Sequence, residues 1–283
     1  MTVNAIQVTN LTKRYPGFLL DNVSFSVPSG YVCGFIGQNG SGKTTTLKLM
    51  LQMAYKDSGE ITILGQPESE ISIKEQLGVL FDSPPFDEIW TANDIERVLK
   101  PFYPQWNKAA FKNYLQRFHL DPNQRFGTLS RGMKMKLGLA VSLSHEARLL
   151  LLDEPTSGLD PVIRSEVLGI LQEYLSDEDK TVFFSTHITG DLEKIADYIV
   201  YIHEGRILFC GQKNQLVEQY CIVRGSSKDI DSVRSRQVIG LREHLGGFEG
   251  LLDIGQIGGL APGVVTEAAS LDDIMVHIGR GGA

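Results

Sequence analysis

Eight consecutive residues, Gly37-Gln38-Asn39-Gly40-Ser41-Gly42-Lys43-Thr44, are the part of the chain best suited to chemistry. They satisfy G-x-x-x-x-G-K-[ST], the pattern of a phosphate-binding P-loop. Glycines let successive backbone N–H groups curl around phosphate oxygens, and a following helix adds the positive end of its dipole. In such a loop Lys43 reaches the β- and γ-phosphates and the Thr44 hydroxyl ligates Mg²⁺. Residues 37–45, Thr45 included, are therefore the candidate cradle for the phosphates of a nucleotide. A second stretch, Leu149-Leu150-Leu151-Leu152-Asp153-Glu154, is an apolar run that ends in two acids. Strands end in carboxylates for many reasons, but behind a P-loop these two have a use. Asp153 can hold Mg²⁺ or its water, and Glu154 can orient and deprotonate an attacking water. Phosphoryl transfer needs mainly positioning and charge neutralisation, which this pair supplies together with Lys43 and Mg²⁺.

These groups need a strand–loop–helix frame. Tyr31-Val32-Cys33-Gly34-Phe35-Ile36 reads as a buried strand and Thr45-Thr46-Leu47-Lys48-Leu49-Met50-Leu51 as the helix behind the loop. Short strands precede it, with Phe25 and Val27 alternating with Ser24 and Ser26 up to a Pro28-Ser29-Gly30 turn. Residues 59–65 form a glycine-bounded strand. A block of different character follows over about 84–145, with helical apolar spacing at 92–102, 111–118 and 133–143. The α/β alternation then resumes: a strand at 149–152, a helix at 162–175, a strand at 181–185 and a helix at 190–196. The strands 199–203 and 206–209 read as a hairpin across Glu204-Gly205. From about Tyr220 the chain is glycine-rich yet keeps recurring apolar residues, including strand-like 221–224 and 264–267 and helix-like 271–278. An ordered accessory domain fits that pattern better than disorder does.

Composition sets the outer limits. The 283 residues allow one large domain with an appendage or two small domains, and 42% hydrophobic with 22% charged residues is ordinary for a globular protein. A formal net charge of −7 argues against a broad nucleic-acid-binding face, a local basic patch remaining open. No run approaches the roughly 18–20 apolar residues needed to cross a bilayer. Met1-Thr2-Val3-Asn4 leads straight into strand-like residues, so no leader is expected. Cys33, Cys210 and Cys221 lack metal-ligand spacing, and Cys33 and Cys210 are expected to be buried in strands.

The order of further motifs resembles the ATP-binding cassette (ABC) ATPases over about residues 3–218. Their signature loop, usually Leu-Ser-Gly-Gly-Gln, has its counterpart in Leu129-Ser130-Arg131-Gly132-Met133. Their aspartate loop corresponds to Ser157-Gly158-Leu159-Asp160, behind Asp153-Glu154-Pro155-Thr156, and their switch histidine to His187 in Ser185-Thr186-His187. Tyr15, in Lys13-Arg14-Tyr15, matches the aromatic that stacks on adenine. The resemblance implies a P-loop NTPase (RecA-like) α/β core with an N-terminal antiparallel β subdomain, an inserted α-helical subdomain and, beyond it, a small C-terminal accessory α+β domain. The expected division is a cassette over 1–219 and an accessory domain over 220–283. It further implies a head-to-tail homodimer or heterodimer that sandwiches two ATP, each between the P-loop of one subunit and Ser130 and Gly132 of the other. His187 would contact the γ-phosphate and the partner's aspartate loop at Asp160. Glu154 would be the catalytic base, with Thr44 and Asp153 at Mg²⁺.

Two departures stand out. Where the family carries a glutamine after the strand entering the helical block, this chain has Asp82. Asp82 is either an alternative Mg²⁺ or water contact or a turn aspartate before Ser83-Pro84-Pro85. Arg131 and Met133 replace two signature residues, while Ser130 and Gly132 remain and ATPase activity is expected to be retained. Phe102-Tyr103-Pro104-Gln105-Trp106 is similar to a Phe-Tyr-Pro-x-Trp stretch in bacterial cassettes of the bacitracin-, lantibiotic- and acetoin-utilisation type, where an acid also replaces the glutamine. The resemblance implies a separate transmembrane permease, an exported peptide antibiotic or other amphipathic compound, and a cytoplasmic location on the inner face of the membrane. Pro84-Pro85-Phe86 and Trp90 either line a groove for a permease helix or pack the helical block. The competing class is an ABC ATPase acting on ribosomes or DNA, or in a sensing complex, without transport. Those on ribosomes or DNA generally carry paired cassettes, coiled-coil arms or zinc hooks that this chain lacks. The accessory domain is read as a regulatory or dimerisation module, or as a cover for the cassette's edge.

Overall fold

The computed structural model describes residues 4–177 and 179–281. In chain order, β1 (Asn4–Tyr15) and β2 (Phe18–Pro28) form a hairpin, β3 (Val32–Ile36) leads into the P-loop, and α1 (Lys43–Met50) leaves it. Next come β4 (Ser58–Ile63), β5 (Gln66–Pro67), α2 (Ile71–Lys74) and β6 (Leu77–Leu80). Three helices follow, α3 (Ala92–Leu99), α4 (Lys108–Arg117) and α5 (Arg131–Ser142), and then β7 (Leu149–Asp153), α6 (Pro161–Tyr174), β8 (Thr181–Thr186) and α7 (Thr189–Ile195). A second hairpin, β9 (Tyr198–His203) and β10 (Arg206–Gln212), turns at Glu204 and Gly205, both with positive φ as a tight two-residue turn requires. The last elements are α8 (Lys213–Gln219), β11 (Tyr220–Gly225), α9 (Asp231–Arg234), β12 (Ile239–His244), β13 (Gly247–Asp253), β14 (Val265–Ala268) and α10 (Leu271–Gly281).

Three sheets result. The first is antiparallel, in the order β2-β1-β4-β5. The second runs β10-β9-β3-β8-β7-β6, parallel throughout except for β10. A parallel sheet is covered on both faces, and strand alternation shows which core each side chain enters. Leu149 and Leu151 of β7 point with Cys33, Phe35 and Phe183 into the core shared with the antiparallel sheet. Leu150 and Leu152 point with Val182 and Phe184 into the core beneath the helices. The apolar run of β7 thus divides between two cores, and that is why it has no polar alternation.

The three helices between β6 and β7 are the inserted block. Met135, Leu137 and Leu139 of α5 pack inside it. Phe86 meets Phe126 edge to face at 5.5 Å and Trp90 packs on the same core, so both are packing residues of the block. The third sheet, β12-β13-β11-β14, is antiparallel. One of its faces closes a small core of Cys221, Val223, Val233, Phe248 and Leu252. Ile222 and Leu251 on the other face join Leu271, Ile274 and Met275 of α10 in the large helical core. Cys33 is buried as the sequence suggests. Cys210 is exposed, because β10 is the edge strand of its sheet, although its Sγ approaches Ser26 O at 3.4 Å.

Candidate functional site

Sheet order places the chemistry. In open parallel sheets, ligands bind at the carboxyl ends of the strands. The P-loop follows β3, Asp153 ends β7, and His187 follows β8, which lies between the other two. The register is tight: Ile36 pairs with Thr186, and Asp153 pairs with Ser185. Residues remote in sequence are therefore brought to one edge.

Gly42, at φ +113, caps α1 in a conformation few other residues adopt, and it sends the chain from the loop into the helix. Lys43 is buried, with its ammonium donating to Gly37 O at 2.8 Å and Gln38 O at 3.2 Å and standing 3.5 Å from Glu154 Oε1. Burial pulls Lys43 below the ordinary lysine range, and the Glu154 and Asp153 carboxylates oppose that shift. Thr44 Oγ1 donates to Asp153 Oδ2 at 2.8 Å, and Ser185 Oγ donates to Asp153 Oδ1. Glu154 has φ +51, a left-handed conformation rare for a non-glycine residue, and its N–H donates to Ser185 O at 3.0 Å. His187 Nδ1 lies 2.9 Å from Glu154 Oε2. Two chains of contact meet here, Thr44–Asp153–Ser185 and Lys43–Glu154–His187.

These groups border a cavity of about 500 Å³ lined by Gly17, Phe18, Asn39, Gly40, Gly42, Lys43, Thr44, Thr45 and Glu154. The donor set fits a nucleotide with Mg²⁺. Ser41 Oγ is buried in the loop with no hydrogen-bond partner among the described residues, as suits a group awaiting an acceptor. The hydroxyl of Thr44 and a single carboxylate of Asp153 suit Mg²⁺, which is usually held by one or two protein oxygens plus substrate phosphates and water.

The other expected residues fall as follows. Tyr15 pairs in register with Phe18 at the end of the first hairpin and carries Lys13 Nζ 5.4 Å above its ring, but the aromatic that lines the cavity is Phe18. Gln38 offers its carbonyl to Lys43 and lays its side chain against Gly279 of α10. Ser130 caps α5, its Oγ accepting from Met133 N at 3.3 Å, and Asp160 caps α6, its Oδ1 accepting from Val162 N and Ile163 N. Ser130, Gly132 and Asp160 are not among the residues that line the cavity. The carboxylate of Asp82 pairs with Arg131.

Sequence reasoning missed Phe18, Ser185 and Asp191. Asp191 is fully buried and accepts from Thr156 Oγ1, while Arg164 Nε pairs with its other oxygen. It ties the segment after Glu154 to α7, the helix behind His187. It also missed the role of the aromatic stretch: Tyr103 lies 4.0 Å, ring to ring, from His145, whose two nitrogens face Val141 O and Leu77 O.

The model of the ABC transporter family matches residues 20–157. The bacitracin transport ATP-binding protein BcrA of Enterococcus faecalis is 33% identical over 208 residues, covering 72% of this chain and 68% of that protein. The lantibiotic transport ATP-binding protein SrtF of Streptococcus pyogenes is 34% identical over 212 residues, covering 72% and 89%. Among solved structures, an ATP-binding subunit of an ABC transporter superposes with a TM-score of 0.69 at 26% identity, covering 76% of this chain and 92% of that one.

Proposed function

The chain belongs to the ATP-binding subunits of ABC transporters, ATPases by family, and from that premise we propose how its site works and what it serves. The carrying observation is that the residues lining the nucleotide cavity come from the P-loop, the first hairpin and Glu154, while Ser130, Gly132 and Asp160 stand elsewhere on the same chain. One chain holds both halves of a site that it does not close on itself. A second copy arranged head to tail supplies the missing wall, and the N-terminus of α5 brings its N–H groups to the γ-phosphate across the interface.

Within each site Lys43 and the loop N–H groups hold phosphate, and Phe18, with Tyr15 beside it, packs the base. Thr44 and Asp153 would hold Mg²⁺, which when bound would neutralise phosphate charge. Glu154 accepts the proton of the attacking water, and His187, bonded to Glu154, orients that carboxylate and meets the phosphate.

The work of closure is done on a separate permease. A mainly apolar cleft of about 230 Å³ between the core and the helical block, lined by Met50, Leu51, Met53, Ile73, Leu77 and Tyr103 with Glu68 and Lys74, has room for one or two apolar side chains projecting from a permease's cytoplasmic helix. Among the described residues no helix is long and apolar enough to cross a membrane. The bacitracin and lantibiotic relatives support export of a peptide antibiotic or other amphipathic compound, with this chain peripheral on the cytoplasmic face.

We assign residues 1–219 to the cassette and 220–283 to an accessory domain. Its α10 touches Gln38 of the P-loop, and Asp272 of α10 accepts from Thr189 Oγ1 of α7 at 3.1 Å. That placement supports a regulatory role over the nucleotide site. Purifying the chain from its native membrane tests the transport reading: a co-purifying multi-span permease supports it, and ribosomes or nucleic acid in its place overturn it.

A further inference from the structure

Arg131 touches three segments that sequence motifs treat separately. It is the first residue of α5, next to the capping Ser130. Its guanidinium pairs with Asp82, at the point where the chain leaves the core sheet for the helical block. The same guanidinium lies over the backbone of Gly158 in the aspartate loop. A Cβ on Gly158 would stand 2.8 Å from Nη1, 2.9 Å from Cζ and 3.3 Å from Nε, and Gly158 has φ +68. Beside it, Gly132 is buried against Ile163 and Leu159, where a Cβ would lie 2.8 Å from Ile163 Cδ1. The start of α5 is thus laid directly on the aspartate loop and the first turn of α6, and Asp82 holds it there.

An ion pair that is 51% exposed at both partners contributes little to stability. Its consequence is orientational, since it joins the helical block to the core at the loops that face a second subunit. We propose that Asp82 acts through Arg131: the pair is a positioning latch that fixes the signature loop and the aspartate loop of one subunit as a single face for the nucleotide held by another. This rests on the composite-site reading above and gives Asp82 a role other than contact with Mg²⁺.

The test uses the full chain carrying Glu154→Gln, so that ATP is held rather than spent, with ATP-driven dimerisation followed by sedimentation. Asp82→Arg and Arg131→Asp are each expected to raise the ATP concentration for half-dimerisation by about tenfold, as a coupled pair in contact would. The charge exchange D82R/R131D restores it to within about threefold. Binding of a fluorescent ATP analogue with Mg²⁺ to the monomer stays at the parent's level in all three. An exchange no better than the worse single variant, or single variants that dimerise like the parent, overturns the latch. Loss of the monomer's Mg-ATP affinity in Asp82→Arg, unrepaired by the exchange, returns Asp82 to a metal contact and also overturns it. A parent chain that never dimerises contradicts the composite site itself, and the latch with it.

Discussion

His187 Nδ1 lies 2.9 Å from Glu154 Oε2, while the other oxygen of the same carboxylate stands 3.5 Å from Lys43 Nζ. The acid is gripped between the ammonium of the P-loop lysine and a histidine just past the end of the neighbouring strand β8. Its backbone, at φ +51, holds a conformation that costs on the order of 1–3 kcal/mol and persists only because the surrounding structure dictates it. Such strain aims a carboxylate in a fixed direction.

Replacing Glu154 by Gln keeps the shape of the side chain but removes the proposed base. Phosphate release should fall by about 10²–10⁴-fold while ATP affinity is retained. A variant within tenfold of the parent would place the base elsewhere.

Buried and exposed charge pairs in this chain should behave oppositely. Asp191 is fully buried against Thr156 and the partly exposed Arg164, so Asp191→Ala removes the acceptor of both and should cost about 1–3 kcal/mol. Asp82→Ala breaks a half-exposed pair and should cost under about 1 kcal/mol. Urea unfolding of the two variants checks the contrast, and equal losses would contradict it.

His145 supplies a pH dependence. Burial pushes its imidazole below the ordinary value of 6.5, against the opposing pull of the Leu77 and Val141 carbonyls. A depressed histidine is neutral in the fold, so its contribution is whole above 6.5 and is lost as pH falls below it towards the folded value. Thermal unfolding between pH 7.5 and 5 should show a falling Tm, and His145→Gln should flatten that slope. An unchanged slope would mean that other groups govern it.

The proposed accessory domain offers a third kind of test. Gly279 faces the side chain of Gln38 so closely that any Cβ displaces it. Gly279→Leu should loosen α10 from the P-loop and raise KM for ATP by about fivefold, a common allosteric coupling. An unaltered KM would make the domain a cover for the cassette's edge.

The sequence discloses what is contiguous. The P-loop, the strand ending in Asp153-Glu154 and the inserted helical block are local patterns and can be read without a fold. The partners of those residues are not local: Ser185 reaches Asp153 across 32 residues, Asp191 reaches Thr156 across 35, and Arg131 reaches Asp82 across 49. Strand register and helix packing create these pairs, and no spacing rule encodes them. Cys210 shows the same limit, since its strand-like neighbours say nothing about whether the strand is at an edge. Phe18 left a signal, an aromatic just after a Tyr-Pro-Gly turn, that the match at Tyr15 overshadowed.

The central claim, that each site is built from two chains, is tested most directly by mixing two dead variants. Lys43→Ala removes the phosphate-binding cation, and Ser130→Arg blocks the signature loop. Neither should hydrolyse ATP alone. Mixed in equal amounts they should regain activity, because the P-loop of the Ser130→Arg chain then meets the intact signature loop of the Lys43→Ala chain. A mixture no more active than its separate components, or a Ser130→Arg chain that hydrolyses ATP at the parent's rate by itself, would contradict the account.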